Sequence, residues 1–262
     1  RMSWKNALVD YAKTKNPSSL PDDILLMHTK QTLTIWDKYP KAKFHFLTLP
    51  RLPFIEPGSG DELTQATLDS LSALLANKHA LKVLKILKDA SDEVKEQIED
   101  EMLKREGFIW PISVGFHAIE SMSHVHLHVI SQDFLSDSLK NKKHWNSFNP
   151  SHGFFLHLED MIDWVQNRTL KQHNKSKKAY EELLKSDMQC HKCEDSFPTI
   201  PALKRHLEGH FAKYKQEHLP LKRKLDSASE QKHKRSRSNG NCVTEVDQAK
   251  AHSGADEREE SP

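Results

Sequence analysis

The sequence reads Ser-His-Val-His-Leu-His-Val-Ile over residues 123–130. Histidines alternate here with apolar residues, and a period of two predicts a β-strand with one polar and one apolar face. On such a strand His124, His126 and His128 would point to the same side, each roughly 6.6 to 6.8 Å from the next. A phosphate suits this row, because one imidazole can attack phosphorus while its neighbours donate hydrogen bonds to the non-bridging oxygens.

Three other interpretations of this stretch stay open. The histidines could be structural, although three in register are more polar than a core usually accepts. They could share a metal ion, but no acidic or Cys ligand lies within the stretch. They could also belong to a solvated surface strand, which the Ile-Ser-Gln that follows does not exclude.

Histidines at alternate positions, followed by two apolar residues, are the signature of the histidine-triad nucleotide hydrolases and transferases, which this stretch resembles. The transferases carry Gln in place of the third His, so His128 favours hydrolysis. The resemblance continues in Asp-Lys-Tyr-Pro-Lys-Ala-Lys-Phe-His at 37–45, Gly-Phe-His-Ala-Ile at 115–119 and Lys-His-Trp-Asn-Ser-Phe-Asn at 143–149. From about residue 4 to about residue 214, these motifs closely resemble the aprataxins, histidine-triad enzymes that remove AMP from abortively adenylated DNA ends.

A second motif lies nearer the carboxyl end. Cys190, Cys193, His206 and His210 have the ligand spacing of a zinc finger with two Cys and two His, which predicts a structural zinc ion. The two positions that form the small core of such fingers hold Phe197 and Leu203. So short a finger needs metal to fold. The aprataxins carry such a finger directly after the triad domain. If it folds separately, losing zinc should weaken DNA binding but spare hydrolysis of a small AMP ester.

Composition sets limits on the class of protein. The chain has 262 residues, of which 36% are hydrophobic, and room for one sizeable domain and a small one. Its mean hydropathy of −0.72 is polar, so we expect part of the length to be a tail. Besides the two motif cysteines there is only Cys242, which indicates a reducing compartment without disulfides. No apolar run suggests a signal segment or a membrane span. We also expect the protein to be a monomer.

Charge is distributed unevenly along the chain. Residues 1–167 carry 19 basic and 22 acidic side chains, residues 168–238 carry 18 and 9, and residues 239–262 carry 2 and 6. The basic middle segment, with its cluster at Lys171, Lys175, Lys177 and Lys178, predicts a polyanion partner. Two further clusters, at 222–224 and 232–237, are typical of a bipartite nuclear import signal or of a nonspecific nucleic-acid tail. We therefore expect a nuclear protein.

These marks predict an α+β fold: a histidine-triad domain with an antiparallel sheet and flanking helices, then a small zinc finger and a disordered tail. The predicted parts are a catalytic domain (1–167), a basic helical linker (168–187), the finger (188–218) and the tail (219–262). Within the first part we expect a short helix at 4–15, strands at 24–28, 32–36, 43–49, 112–117 and 124–130, and a helical region at 62–105. Further helices are expected near 158–167 and 177–185. The region at 62–105 is interpreted as an insertion of no assigned role.

The resemblance implies a mechanism with named residues. His126 would attack the AMP phosphorus and form a covalent AMP–histidine intermediate, which water then hydrolyses. His117, His128 and backbone N–H groups would carry the phosphate charge without a catalytic metal, His124 would brace His126 and fix its tautomer, and His45 would protonate the leaving phosphate. The substrate would be damaged double-stranded DNA with an adenylated 5′ end, and AMP a product.

Substrate contacts are also implied by the resemblance. Asp37 would accept hydrogen bonds from the ribose hydroxyls, and phosphates would be held by Lys41, Ser121 and Lys143. Lys43, Met122 and His144 are expected at the substrate or DNA. Trp4 has two interpretations: a platform that stacks on the terminal base, or an apolar anchor of its short helix.

Two rival functions share parts of this pattern. A general dinucleotide or phosphoramidate hydrolase would use the triad but not the finger, and a DNA-binding protein with an inactive triad would not need the other active-site residues. From the sequence we also expect a form without the forkhead-associated domain that precedes the triad in animal aprataxins.

Overall fold

The computed structural model describes residues 4–238, with side chains up to Leu219. Its strands are β1 Leu25–His28, β2 Thr32–Trp36, β3 His45–Pro50, β4 Phe54–Ile55, β5 Glu62–Leu63, β6 Ile112–His117, β7 Leu127–Ser131, β8 Phe155–His157, β9 Met188–Gln189 and β10 Ser196–Phe197. Its α-helices are α1 Ala7–Ala12, α2 Leu71–Leu75, α3 Ala80–Arg105, α4 Lys142–Phe148, α5 Leu158–Gln166, α6 Leu170–His173, α7 Lys177–Leu183 and α8 Ile200–Ser238. Short 3-10 helices lie at Trp4–Asn6 and Pro17–Ser19.

Six strands form one antiparallel sheet in the order β1-β2-β3-β7-β6-β8. The predicted antiparallel sheet is thereby confirmed, together with its five predicted strands. β7 lies between β3 and β6, so that His128 is opposite Leu47 on one side and Gly115 on the other. Gly115 permits close packing here, because a Cβ at this position would lie 2.3 Å from the carbonyl oxygen of Leu156 in β8.

The last triad strand is shorter than predicted. β7 begins at Leu127, and the backbone of His124 and Val125 pairs with a loop instead: their N–H groups donate to the carbonyls of Asp69 and Leu68 at 2.8 and 2.7 Å. His124 has a φ of 82°, in the left-handed region that a strand residue does not adopt. The prediction that three histidines point the same way along one strand is therefore wrong for His124.

Helix α3 covers one face of the sheet. Its apolar side packs on the sheet in one buried cluster, formed by Phe44, Phe46, Val94, Ile98, Met102, Phe108, Trp110 and Val129. The predicted helical region at 62–105 is thus only partly right, since Glu62–Leu63 is a strand and α2 ends before α3 begins. Polar side chains explain the break: Ser70 caps α2, and Asn77 accepts the N–H of His79, both contacts that favour helix ends and turns.

The finger shares a buried core with the sheet, and Phe211 and Tyr214 of α8 also pack against the α3 cluster. Met188, Cys190, Leu203 and Leu207 are buried in the same cluster as Ile130, Phe134, Trp145, Phe148 and Phe155. Residues 1–219 form one compact unit. The predicted division into a catalytic domain, a linker at 168–187 and a separate finger at 188–218 therefore does not correspond to separate packing units.

The last helix runs further than expected. α8 extends to Ser238, so the first part of the predicted tail, 219–262, is helical in the structure. Residues 239–262, and the side chains of both basic clusters at 222–224 and 232–237, lie outside the described residues. In the part of the chain that is described, no helix has the length and apolar character needed to cross a membrane.

Candidate active site

Four histidines meet beside the centre of the sheet. His45 begins β3, His117 ends β6, His128 lies in β7, and His126 directly precedes β7. The ring centroid of His128 lies 4.4 Å from that of His117, 5.1 Å from that of His126 and 5.2 Å from that of His45. The tertiary structure therefore brings together four of the five predicted catalytic side chains around His128.

A single hydrogen bond defines the reactive atom of His126. Its Nδ1 lies 2.8 Å from the carbonyl oxygen of His124. Because a carbonyl oxygen can only accept, Nδ1 carries the proton and Nε2 keeps its lone pair. The side chain of His126 is buried, and burial lowers its pKa, which keeps the ring neutral and Nε2 nucleophilic near pH 7.

His124 acts on His126 through its backbone. Its Nε2 donates to the carbonyl oxygen of Pro50, at the end of β3, at 2.6 Å. This contact anchors the residue whose carbonyl accepts the N–H of His126. The sequence predicted that His124 braces His126 and fixes its tautomer; the group in contact is the carbonyl of His124 rather than its ring.

A second hydrogen-bond chain sets the tautomer of His128. The N–H of Lys41 donates to Nδ1 of His45 at 3.1 Å, so the proton of neutral His45 lies on Nε2. That Nε2 donates to Nδ1 of His128 at 3.0 Å, which leaves the proton of His128 on its own Nε2. Nε2 of His128 and Nε2 of His117 are both buried without a hydrogen-bond partner. The Nε2–H of His128 is suited to an oxygen of a bound phosphate, whereas His117 donates its other ring N–H to the backbone at Ser147, which leaves a lone pair on its Nε2.

Burial keeps the histidine cluster uncharged. It lowers the pKa of His45 and of His124 from 6.5 to about 4 and that of His117 and His128 well below the ordinary value. For His45, the Asp37 carboxylate opposes this change in pKa, and Lys41 and His126 add to it. The cluster therefore enters a reaction at neutral pH as neutral imidazoles.

We expect the protein to lose stability as the pH falls from 7 towards 4. Between the unfolded pKa of 6.5 and a folded pKa of about 4, the unfolded chain binds more protons, so acid favours unfolding. By pH 5, His45 and His124 would each cost about 2 kcal/mol. Urea unfolding at pH 7 and pH 5 with excess zinc measures this loss. His45→Gln should lose less stability on acidification than the wild type; equal losses would contradict the neutral burial of His45.

The loop before β3 holds Asp37 and Lys41 next to the cluster. Asp37 accepts the N–H of Tyr39 at 2.7 Å, and its other carboxylate oxygen lies 3.6 Å from Nε2 of His45. Lys41 is buried and donates from Nζ to the carbonyl of Tyr39. Burial lowers the pKa of Lys41, and the charge of Asp37 opposes that change.

The other predicted substrate residues lie in different surroundings. Lys143 is exposed in the first turn of α4, and half-buried His144 accepts the N–H of Lys140 with Nδ1 at 3.2 Å. Ser121 is exposed, and Met122 packs against the apolar cluster of β2 and β3. Ser121 and Met122 lie on the connection between β6 and β7, and Lys143 and His144 lie on α4. All four are therefore close in sequence to residues of the histidine cluster or to Phe148.

Lys43 lies in a different contact. Its Nζ is 2.7 Å from the carboxylate of Glu106 and 4.6 Å from the ring centroid of Phe211 in the finger helix α8. The structure therefore places the Lys43 side chain between the end of α3 and the finger helix. Its predicted contact with substrate or DNA stays a prediction.

Trp4 is 63% exposed, which excludes its interpretation as a buried anchor of the first helix. Its neighbour Lys5 accepts the N–H of Ser123 at 2.9 Å through the backbone carbonyl. This bond connects the N-terminal helical turn to the residue just before the triad.

The four finger residues form a second cluster. Cys193 Sγ lies 3.1 Å from Nε2 of His206, Nε2 of His206 lies 3.0 Å from Nε2 of His210, and all four ligand atoms, including Sγ of Cys190, are within 4.8 Å of one another. In a tetrahedral zinc site, ligand atoms are roughly 3.3 to 3.8 Å apart. The donor set and spacing therefore fit a structural zinc ion.

Two family models match the chain. Residues 8–144 match the family described as scavenger mRNA decapping enzyme C-term binding, and residues 151–213 match the C2HE / C2H2 / C2HC zinc-binding finger. The aprataxin-like protein of Saccharomyces cerevisiae is 32% identical over 220 residues, which cover 80% of this chain and 97% of that protein. The chain belongs to the aprataxin family. The finger match begins at residue 151 and so includes the predicted linker.

Animal aprataxins match this chain over only part of their own length. Danio rerio aprataxin is 40% identical over 178 residues, covering 68% of this chain and 47% of the fish protein. Gallus gallus aprataxin is 38% identical, covering 75% of this chain and 54% of the bird protein. The chain thus spans about half the length of these two relatives. A solved structure of Hnt3 in complex with DNA and guanosine covers 82% of the chain and 100% of its own, with a TM-score of 0.61 and 24% identity, which shows the shared fold.

Two further residues of the aprataxin-family site were not found from the sequence. The ring of Phe148 contacts three imidazoles, with centroids 4.4 Å from His117, 5.0 Å from His45 and 5.1 Å from His128. Glu120 accepts the N–H of Leu71, and its charge raises the pKa of His126, against the larger effect of burial. Phe148 lies in a motif that the sequence did single out, but no local pattern indicates that its ring reaches residues up to 103 positions away.

Proposed function

We propose that the protein removes AMP from 5′-adenylated DNA ends left by failed ligation. Nε2 of His126 attacks the AMP phosphorus, the bond from that phosphorus to the bridging oxygen breaks, and the DNA leaves with an ordinary 5′ phosphate. Water then cleaves the P–N bond and releases AMP and free His126. Two successive displacements at one phosphorus avoid a single difficult hydrolysis.

The observation that carries this proposal is the tautomer of His126. Its Nδ1–H is held by the carbonyl of His124, so the neutral ring presents a nucleophilic nitrogen and needs no prior loss of a proton. After attack, the positive charge of the imidazolium is partly balanced through the same hydrogen bond. The low pKa of His126 supports attack at neutral pH.

The phosphate charge is proposed to rest on neighbouring imidazoles. The free Nε2–H of His128 can donate to a non-bridging oxygen in a site from which water is excluded, and Nε2 of His117 would do so once the bound phosphate has raised its pKa and protonated it. The tautomers also argue against a metal held by Asp37, His45 and His128, although their ligand atoms lie within 4.8 Å. Nε2 of His45 already carries a proton and has no lone pair to donate to a cation.

Recognition of the substrate uses the loop before β3. Asp37 would accept the ribose hydroxyls, and Lys41, Ser121 and Lys143 would bind phosphates. Burial keeps His45 neutral, so its proposed role as the acid for the leaving phosphate needs bound phosphates to raise its pKa. The leaving phosphate, with a second pKa of about 6, requires little protonation.

DNA is the proposed partner for three reasons. The clustered lysines 171, 175, 177 and 178 are all exposed, the finger adds a module that often contacts DNA, and solved Hnt3 structures contain DNA. We propose a structural zinc ion in that finger and, from the basic clusters of the tail, a nuclear location.

Turnover of two substrates separates this function from its main rival. Incubation with 5′-adenylated nicked DNA should release AMP much faster than incubation with a diadenosine polyphosphate at the same concentration. His28→Ala, an exposed histidine far from the triad in the sequence, serves as the unaffected control. Preference for the dinucleotide would instead assign the chain as a general dinucleotide hydrolase.

Trp4→Ala tests whether the protein recognises the DNA end by stacking on its terminal base. Stacking on a terminal base is worth about 1 to 3 kcal/mol, so activity on adenylated duplex DNA should fall about 5- to 150-fold. Hydrolysis of a small AMP ester and the melting temperature should stay close to wild type, because the indole is 63% exposed. Parallel losses on both substrates with a lower melting temperature would remove Trp4 from the DNA site.

A further inference from the structure

We propose that Phe148 is a positioning residue, which closes one side of the histidine cluster to water and is itself held in place by the zinc finger. This inference rests on the proposed role of the triad in AMP transfer. It adds a residue to that site and a physical link between the finger and the chemical step.

The first observation is the packing of the Phe148 ring. The ring is 5% exposed and stands nearly perpendicular to His45 and His128, with interplanar angles of 83° and 86°. It meets His117 at 65° with a centroid distance of 4.4 Å. One apolar ring thus borders three of the imidazoles, among them the two whose Nε2 atoms have no partner.

The consequence of this packing is chemical. With water excluded, Nε2–H of His128 is left free for a phosphate, and Nδ1 of His128 continues to accept from His45. If water entered, His128 would take up a proton more easily, and a protonated Nδ1 can no longer accept that bond. The charged and titratable groups that face His128 and His117 are His45, His126 and Lys41, which disfavour protonation, and the Asp37 carboxylate, of which an oxygen lies within 4.8 Å of a ring nitrogen of His128.

The second observation is what holds Phe148. Its helix, α4, is tied to the finger strand β9 through one carbonyl: Gln189 accepts from Nε1 of Trp145 and from Nδ2 of Asn149, both at 2.9 Å. Asn146 adds a bond of 2.9 Å to the carbonyl of Ser186. Gln189 directly precedes the buried ligand Cys190, so the fold that zinc maintains extends to the helix carrying Phe148.

Phe148→Leu tests the inference, because it keeps an apolar side chain but removes the ring. We expect kcat on a small AMP ester to fall about tenfold with little change in KM, and the acidic limb of the kcat–pH profile to move up by about one pH unit. Phe134→Leu is the matched control: Phe134 is fully buried in the same cluster and contacts Trp145 and His191 rather than the triad. Its pH profile should match the wild type.

A readout independent of turnover separates this inference from the proposed function. NMR titration of the imidazole signals of His117 and His128 should show higher pKa values in Phe148→Leu, and in the milder Phe148→Met, than in Phe134→Leu. If the wild type releases no AMP from any substrate but these pKa values rise, the proposed function fails and the role of Phe148 stands. If Phe148→Leu and Phe134→Leu give the same pKa values and pH profiles, Phe148 is only a core residue.

Discussion

Replacing His126 by Ala should abolish both AMP release and the covalent adenylate, because it removes the proposed nucleophile. Nε2 of His126 keeps its lone pair, whereas Nδ1 of His128 is occupied by His45 and Nε2 of His128 carries a proton. The loss should be about 10⁴-fold or more, as for other covalent catalysts that lose their nucleophile. Radiolabelled adenylate on the protein and AMP release from adenylated DNA measure the two steps.

Variants of the neighbouring histidines provide the comparison. His128→Ala and His117→Ala should slow the reaction but still leave some labelled intermediate, since both variants keep the nucleophilic Nε2 of His126. All three variants remove an imidazole of the same cluster, so general damage to the site would affect them alike. Near-normal turnover by His126→Ala would exclude it as the nucleophile.

Loss of zinc is expected to have the second largest effect. Cys193→Ser or His206→Ala should unfold the finger, because metal binding supplies its folding free energy. From the sequence, only DNA affinity should suffer. The structure changes that expectation, since Met188, Leu203 and Leu207 share a buried cluster with Trp145 and Phe148. We therefore expect lower DNA affinity, a lower melting temperature for the whole compact unit, and a lower kcat on a small AMP ester.

Zinc content, calorimetry and kinetics on both substrates test this expectation. Cys242→Ser is the matched control, because Cys242 is outside the zinc motif and should retain both activities. Lys215→Met removes a different contact of the finger helix, the ion pair with Glu106 at 3.0 Å, without touching α4. It should spare hydrolysis of the small ester. If the zinc-ligand variants also spare that hydrolysis, the finger is independent of the catalytic fold.

Sheet strands were predicted well where the pattern is local. The alternation of side chains in β2, β3, β6 and the second half of the triad stretch reflects burial on one or both faces of a strand, and neighbouring residues carry that information. The helical region at 62–105 was predicted less well, because the capping contacts of Ser70 and Asn77 compete with a continuous helix. His124 departs from its strand because its backbone bonds to the distant loop at Asp69.

The sequence alone determined which chemical groups this protein has: an array of histidines suited to phosphate, four zinc ligands at a spacing that one turn and one helix can bring together, and the hydrolase-type His128. Such motifs are readable because their spacing encodes their geometry. Only the tertiary structure decided how the groups act. The bond between His45 and His128 joins residues 83 apart and, together with the Lys41 N–H that donates to His45, fixes both tautomers. The bond between Trp145 and Gln189 joins residues 44 apart and connects the finger to the site. Contacts at such separations depend on packing of the whole sheet, which no local pattern in the chain encodes.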